Sequence, residues 1–588
     1  MLSISIILLL TLALLVTQVI RVEITALLTI TALALTELLS AEEAVSGFAN
    51  PATLTVGAML VLSAGLERAG VVDYIGALLS KGSKRSTRVL LLQLAVPTTL
   101  LSAFMNNTAI VALMIPVALL LGRRLGQPAS KLLMPVSFFA ILGGTCTLIG
   151  TSTNILVDSL YRKHGGMGFG MFEFLPMGLI YMGIGCLYII YLGPKLLPNR
   201  SGLADIMGEE TAGQFVTEVV VPPESALVGR PLGDVFSRDR GVVVVELIRA
   251  EEVTLGPPTG TVLLAGDTLL VEGTVRTIHE LLQDKGVTHG TAVADADRVP
   301  ISRLDLRVVE AVITPNSKFQ GEEVRELGLN RKLGINVLAL RRMGQHHQYN
   351  LRDFELRSGD VILLQGERNS LLRLQEDGDA LLIEGVERSL TFPRQAPIAV
   401  IILLLVVALS SFNVAPIMTL SLAGVVAMLL TGCLNVAHAT RALDSGVLFI
   451  LAGMIPLGQA ISRVGLDRVV ADAVVGLAGS AGPTVLISVM YLLTTILTAF
   501  LSNNAAAVLL APICFSIANH LQIDPRPLLV AVAFGSSASF ATPIGYQTNT
   551  MVMGPGAYRF VDYVRFGGPL NILLWLVATL FIPIFWRP

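Results

Sequence analysis

Two short polar strings interrupt long apolar stretches of this chain: Ser102-Ala-Phe-Met-Asn-Asn-Thr108 and Thr498-Ala-Phe-Leu-Ser-Asn-Asn504. No Asp, Glu, Lys or Arg occurs from Val89 to Gly122, Leu132 to Val157, Ala473 to Asn519 or Pro527 to Tyr558, so their chemistry has to be that of neutral oxygens and amides. Asn, Ser and Thr held in hydrocarbon cost free energy unless they meet protein, water or an ion. Hydroxyls, amide oxygens and the carbonyls of a broken helix are hard neutral ligands suited to Na+, while helix N-termini at the same break offer free N–H groups to an anion. A proton relay would need an intramembrane carboxylate or histidine, and these stretches hold no carboxylate. A potassium filter would need a carbonyl-lined loop from four chains, and Thr542-Pro-Ile-Gly-Tyr546 is broken by proline.

The two strings are copies. They align without a gap and continue to Pro116 and Pro512. Upstream, Arg68-Ala-Gly70 matches Arg463-Val-Gly465; downstream, Thr147-Leu-Ile-Gly-Thr-Ser-Thr-Asn154 matches Thr542-Pro-Ile-Gly-Tyr-Gln-Thr-Asn549. Chance likeness between apolar helices would match leucines, whereas these matches fall on Asn, Thr, Gly and Pro, so an internal repeat is read first. A lone Ser or Thr in a span is ordinary helix–helix bonding; four polar clusters in two copies point to a site.

The elements that position these strings are apolar helices. The chain has 588 residues, 53% hydrophobic and 14% charged, where soluble domains carry about 25% charged residues; about 20 apolar residues suffice to cross the bilayer core as a helix. Expected spans in the first half are 4–20, 24–40 and 52–66, an amphipathic stretch at 67–80, two arms at 88–105 and 108–122, then 131–149 and 171–193. The second half repeats the order: 397–412, 416–432 and 446–461, an amphipathic stretch at 464–478, arms at 484–501 and 504–519, then 526–544 and 566–586. Gly150 and Gly545, the latter near Pro543, break the helices over 131–157 and 526–552 near their middles. The apolar start, Met1 to Ile20, reads as a first span rather than a removed leader.

Basic residues orient the spans. Lys81, Lys84, Arg85 and Arg88, then Arg123, Arg124 and Lys131, then Lys195 and Arg200 share one side only if the paired arms enter and leave by the same face. The arms are then a re-entrant hairpin with Asn106 and Asn107 at its tip. Each half crosses five times, so the second is upside down and the insert between them is cytoplasmic. Arg162-Lys163-His164 would face outward, against the rule.

The expected fold is an α-helical polytopic membrane protein with two inverted repeats, re-entrant hairpins and broken helices, plus two small α/β domains between the repeats. The boundaries are 1–200 for the first repeat, 201–295 and 296–390 for the two inserted domains, and 391–588 for the second repeat. Within the insert, Glu218-Val-Val-Val-Pro-Pro-Glu-Ser225 resembles Glu310-Ala-Val-Ile-Thr-Pro-Asn-Ser317, and Gly266-Asp-Thr-Leu-Leu-Val-Glu-Gly273 matches Gly359-Asp-Val-Ile-Leu-Leu-Gln-Gly366. β-Branched runs bounded by Gly-Asp and Pro read as strands, with helical stretches at Val275–Leu282 and Ser370–Gln375.

Other chemistries find no footing. A net charge of −2 gives no sign of nucleic-acid binding, and Cys146, Cys186, Cys433 and Cys514 have unrelated spacings that suggest packing rather than zinc or disulfides. No Ser/His/Asp, paired-carboxylate or metal-ligand set emerges, so an enzyme is not expected; His346-His347 reads as part of a polar loop. The insert lacks a Gly-x-Gly-x-x-Gly after a strand, so no complete dinucleotide fold is visible.

At the tips, Asn106-Asn107-Thr108 and Ser502-Asn503-Asn504, the chain resembles the divalent anion/sodium symporter family. That family carries Ser-Asn-Thr at each hairpin tip and a Gly-rich broken helix after it. The resemblance implies two Na+ sites: Ser102, Asn106, Asn107 and Gly150 in the first; Thr498, Leu501 by its carbonyl, Asn503 and Ala541 in the second. It implies an anion between the tips, touching Asn107, Thr108, Thr151, Asn503, Asn504 and Thr542. Asn106 departs from the family's first Ser, and Asn504 from a Thr expected on the substrate. The insert is similar to paired TrkA-C domains, which implies regulation by a small nucleotide or ion. The Asn-Asn-Thr tip with such inserts looks most like the sulfate-type branch; a dicarboxylate, tricarboxylate or other oxyanion is the alternative cargo, and a membrane ligand sensor the alternative class. The family further implies no prosthetic group, a homodimer in the cell membrane, and an elevator motion for which Gly143-Gly144 and Gly567-Gly568 are either hinges or close-packing points.

Overall fold

The computed structural model describes residues 1–17, 19–69, 86–200, 215–236, 242–249, 252–255, 257–273, 287–289, 306–314, 317–342, 345–347, 354–376, 378–382, 395–478 and 482–587. Two compact units emerge: Met1–Asn199 with Ser389–Met553 and Tyr558–Pro588, and Arg200–Arg388 with Gly554–Ala557.

The first unit is helical. Its first half holds α1 (Leu2–Thr17), α2 (Val22–Leu35), the short α3 (Ala41–Val45), α4 (Pro51–Arg68), α5 (Thr87–Ser102), α6 (Asn107–Leu125), α7 (Leu133–Gly144), α8 (Ser152–Lys163) and α9 (Leu175–Leu196). The second holds α10 (Ala396–Ser411), α11 (Ile417–Leu430), the short α12 (Val436–Arg441), α13 (Ser445–Val464), α14 (Leu466–Ala478), α15 (Pro483–Thr498), α16 (Asn503–Leu521), α17 (Arg526–Ser537), α18 (Gln547–Met553) and α19 (Phe560–Phe585). The order of elements recurs; the counterpart of α14, expected at 67–80, lies for the most part outside the described residues.

Local chemistry sets the helix ends. Asn50 caps α4 by accepting from Ala52 N (2.8 Å), with Pro51 at the first helical position. Asp444 caps α13 through Val447 N (3.1 Å), and Gly465 ends it at φ +80°, a conformation that favours glycine. Helices α9, α13, α16 and α19 are long and apolar enough to cross a membrane; α5 and α15, with 16 residues each, are shorter. Sixteen residues span about 24 Å, against about 30 Å of hydrocarbon.

Side-chain bonds give the directions. Trp586, at the end of α19, donates to Glu173 Oε1 just before α9 (3.1 Å), and Tyr188 OH donates to Phe566 O (2.8 Å), so α9 and α19 run antiparallel. Ser445 Oγ donates to Glu23 Oε1 (2.8 Å) at the starts of α13 and α2, and Arg463 in the last turn of α13 pairs with Glu43 past the end of α2, so these two run parallel. Thr87 Oγ1, at the start of α5, donates to Gln127 Oε1 just past α6 (2.7 Å), so this helical hairpin begins and finishes at one level.

Close packing rather than open space surrounds two of the glycine positions singled out above. A Cβ on Gly143 would strike the Thr99 backbone, and one on Gly567 the Phe540 carbonyl just past α17, so these glycines let backbones approach closely. Gly568 has nothing within 4 Å of such a Cβ. Arg162, expected to face outward against the charge rule, pairs with the buried Asp158 one turn earlier (2.9 Å), which answers its charge locally.

Among the described residues, the second unit contains two five-stranded antiparallel sheets. The first orders β3 (Glu252–Leu255), β2 (Val242–Arg249), β4 (Thr268–Gly273), β1 (Phe215–Val220) and β5 (Thr288–His289). The second orders β8 (Gln345–His347), β7 (Asn336–Arg342), β9 (Val361–Glu367), β6 (Leu306–Ile313) and β10 (Ala380–Leu382), the same succession of counterparts. Each sheet has its own apolar core, Val219, Leu247, Leu269 and Val271 in one and Val309, Leu340, Ile362 and Leu364 in the other. The register slips at matching places, between Val244 and Glu246 and between Val337 and Ala339. Arg249 grips Asp267 through Nε and Nη2 (2.7 and 2.6 Å), and Arg342 grips Asp360 in the same way (2.8 and 2.6 Å). Burial works to raise the Asp267 carboxyl, but the Arg249 guanidinium and the Leu264 amide outweigh it and hold it below the usual carboxylate range. The helix expected at Ser370–Gln375 is present within Arg368–Glu376, whereas Val275–Leu282 lies outside the described residues. His346 and His347, expected in a loop, lie instead on β8, an edge strand, paired with Arg341 and Leu340 because antiparallel bonding to β7 satisfies their backbone.

Candidate functional site

Each polar string sits where a helix ends, the chain turns and the next helix starts. In the first, α5 delivers Ser102 at its last position and α6 starts at Asn107. Ser102 Oγ lies 2.5 Å from Asn107 Oδ1 and 2.8 Å from Ala140 O on α7. In the second, Thr498 Oγ1 lies 2.7 Å from Asn503 Oδ1 and 3.0 Å from Ser536 O on α17. Each corner thus gathers three oxygens around one hydroxyl proton, which satisfies one of them at a time. Such a surplus of lone pairs, buried and without a carboxylate, has the chemistry to ligate a hard cation weakly. Ser102, Thr498, Asn107 and Asn503 are all buried.

The break after each hairpin is fastened to it by a second set of matching bonds. Thr147 Oγ1 donates to Ala103 O, Gly150 N donates to Thr147 Oγ1 (3.0 Å) and Asn154 Nδ2 donates to Thr147 O (2.9 Å). In the other half Thr542 Oγ1 donates to Ala499 O (2.9 Å), Gly545 N to Thr542 Oγ1 (3.4 Å) and Asn549 Nδ2 to Thr542 O (3.0 Å). Helix α7 stops at Gly144 and α8 begins at Ser152; α17 stops at Ser537 and α18 begins at Gln547, so Gly150 and Gly545 lie inside the two interruptions. A Cβ on Gly144 would lie 2.7 Å from Asn107 Oδ1, so glycine there makes room for the tip amide.

The two halves meet at their helix starts. Ser152 Oγ, at the start of α8, donates to Asn504 Oδ1 in the first turn of α16 (2.7 Å). Thr108 Oγ1, in the first turn of α6, donates to Gln547 Oε1 (3.3 Å). Behind them Thr153 meets Ser537 (3.1 Å), and Ser137 donates toward Thr548 Oγ1 (2.9 Å) and Asn549 Oδ1 (2.7 Å). The N-termini of α6, α8 and α16 therefore converge on one polar seam and bring their positive dipole ends to it, while the Asp444 carboxylate touches its edge by accepting from Gln547 Nε2 (3.2 Å).

Most of the expected site residues gather along this seam. Asn107, Thr151, Asn503, Asn504 and Thr542 are buried, and Thr108 is half-buried. Asn106 stands at the first tip, yet its Oδ1 accepts from Thr108 N (2.9 Å) and its own N–H goes to Ser63 Oγ (3.1 Å), so its side-chain oxygen caps α6. In the second corner, Asn503 Nδ2 reaches Ser539 Oγ (3.5 Å), a partner no sequence argument named. Leu501 is buried beside Asn503 in sequence, and Ala541 is half-buried in the second break. Ser137, Gly144, Ser152, Ser539 and Gln547 were also missed; Ser152 and Gln547 occupy matching positions in the repeated Gly-x-x-Thr-Asn stretch, which is the signal that could have found them. Among the described residues no His, Cys, Asp or Glu cluster suited to a metal occurs.

The chain matches the model of a family described as citrate transporter over residues 12–535, and again over 482–587. An uncharacterized transporter of Synechocystis is 36% identical, covering 97% of this chain and 95% of the relative. An uncharacterized transporter of Escherichia coli (strain K12) is 30% identical over 96% and 95% of the two chains. Sodium/sulfate cotransporter 1 of Chlamydomonas reinhardtii is 23% identical over 92% and 85%. With its apolar helices, its paired polar hairpins and these relatives, the chain belongs to the citrate transporter family, within the divalent anion/sodium symporter superfamily, and is a membrane transporter.

Proposed function

We propose that this protein is a Na+-coupled symporter of a divalent anion, sulfate in the first instance, working by alternating access of one seam between two inverted repeats. The observation that carries the reading is the pair of oxygen corners, Ser102–Asn107–Ala140 and Thr498–Asn503–Ser536, built alike in the two halves and joined by converging helix starts. Inversion draws support from the antiparallel counterparts α9 and α19, and re-entrance from the Thr87–Gln127 bond that closes the base of the first hairpin.

One Na+ is held by Ser102 and Asn107 with Asn106 and Gly150, the other by Thr498 and Asn503 with Leu501 O and Ala541. The anion lies between the tips on Asn107, Thr108, Thr151, Asn503, Asn504 and Thr542. Dipole ends and the two adjacent cations answer its charge where no Arg or Lys is present. The sulfate assignment draws on the Chlamydomonas sodium/sulfate cotransporters and on the Asn-Asn-Thr tip. The two sheets of the insert are TrkA-C-like modules on the cytoplasmic side, where a nucleotide or ion adjusts transport, and the protein works as a homodimer in the cell membrane.

Purified protein in liposomes should accumulate radiolabelled sulfate only under an inward Na+ gradient; uptake undiminished when choline replaces Na+ would sink the coupling. A second reading, a tri- or dicarboxylate cargo, is favoured by the family's own description. Excess citrate or succinate that abolishes sulfate uptake, and is itself taken up faster, would establish it.

A further inference from the structure

Helices α4 and α13 are counterparts, and each starts with a capping side chain that also reaches the broken helix beside it. They reach different depths. Asn50 Oδ1 accepts from Ser159 Oγ, the eighth residue of α8 (2.9 Å). Asp444 Oδ2 accepts from Gln547 Nε2, the first residue of α18 (3.2 Å). The counterpart of Gln547 is Ser152, seven residues before Ser159 in the chain, so on a helix the two caps meet their partners two turns out of step. Two turns are about 10 Å at 1.5 Å per residue.

A perfect twofold relation between the halves would bring both caps to the same helical position. The mismatch means that the bundle of α5–α8 and α15–α18 stands displaced toward the face from which α13 starts. The exchanged arrangement, with the two halves trading roles, places Ser152 at Asn50 and withdraws Gln547 from Asp444. Because Gln547 Oε1 also accepts from Thr108, the Asp444 contact reaches the first hairpin tip through a single side chain. Asp444 is itself buried, so its carboxylate is held for this partner and for the cap of α13.

We propose that Asp444–Gln547 and Asn50–Ser152 are alternating latches, one closed at each end of the bundle's travel, and that a slide of about 10 Å exchanges them. The inference rests on the transport reading of the seam and deepens it by naming the contacts that define its two end states. Asp444 and Asn50 act here as positioning residues: neither touches the cargo.

The test uses full-length protein in membranes, with the four native cysteines replaced. In N50C/S159C the thiols face each other in the arrangement described above. In N50C/S152C they are held two turns apart, beyond the Cα separation of about 4.4–6.8 Å that a disulfide needs. Oxidation should cross-link both variants, each cross-link should halt uptake, and reduction should restore it. Cross-linking of N50C/S159C alone, under every combination of Na+ and sulfate, would overturn the exchange. Should N50C/S152C fail to reach the membrane, a lone S159C answers the same question. Its thiol should react several-fold faster with a membrane-impermeant maleimide when D444N is added, because Asn keeps the helix cap but no longer accepts from Gln547 at Oδ2. An unchanged rate would count against the latch. Wild-type uptake is measured separately, so a chain that moves no anion defeats the transport reading while the cross-links still report whether both arrangements occur.

Discussion

At the residue scale, the proposed function rests on hydroxyls and amides whose oxygens outnumber their protons. Ser102 Oγ serves two acceptors with one hydrogen, and Thr498 Oγ1 does the same. Ser102→Ala removes one of three oxygens from its corner. A net loss of about 1 kcal/mol for one such group should raise the Na+ concentration for half-maximal uptake several-fold, with the sulfate KM at saturating Na+ changed less. Equal changes in both would argue that Ser102 supports the fold rather than the cation. Gly143→Ala belongs to the same scale, because its new Cβ would strike the Thr99 backbone. Overpacking of this sort costs about 1–3 kcal/mol, to be read as a lower Tm in detergent; an unaltered Tm would mean that α5 and α7 yield without cost.

At the element scale, the two sheets of the insert repeat one ion pair at one place. The depressed Asp267 carboxyl gives a pH dependence with a definite sign. A carboxylate whose folded pKa lies below its unfolded value of about 3.9 contributes stability that is fully present above about pH 5 and is lost as pH falls through the folded value. The protection of β2 and β4 amides, taken relative to the intrinsic exchange rate at each pH, should therefore fall on acidification below about pH 4, compared with the same segments at pH 7. Asp267→Asn should raise their exchange at pH 7 and flatten the acid response, while leaving β7 and β9 as they were. Loss of protection in both sheets together would show that they unfold as one unit.

For the whole molecule, energetics constrain the coupling. Each elementary charge moved through 100 mV is worth about 2.3 kcal/mol, so a dianion entering a negative cell opposes about twice that. Two Na+ cancel this cost, and a third would turn the potential into a driving force. The chain should thus carry at least two Na+ per anion, and an imposed inside-negative potential should leave uptake unchanged or raise it. Inhibition by that potential would mean fewer cations than the two oxygen corners imply. Removing 205–388 should alter the response of uptake to cytoplasmic ligands while basal uptake persists in the helical unit.

Much of this was legible in the chain itself. Charge-free stretches marked apolar helices because a charge in hydrocarbon is too costly to be scattered at random. The recurrence of Asn, Thr, Gly and Pro located both tips and both helix breaks, and Gly-Asp turns marked the duplicated strands. Linear order could not decide which oxygens share a corner. Ala140 and Ser536 join theirs by backbone carbonyls, which carry no residue signature, while Ser539 and Gln547, from the two ends of the second break, reach Asn503 and Thr108 respectively. Nor could it reveal that Asn106 spends its side-chain oxygen on a helix cap, since capping depends on where α6 starts to the residue. Repetition is a property of sequence and survives in it; the unequal depth at which Asn50 and Asp444 meet their partners belongs to tertiary structure alone, because two like halves can sit off-centre without any residue recording it.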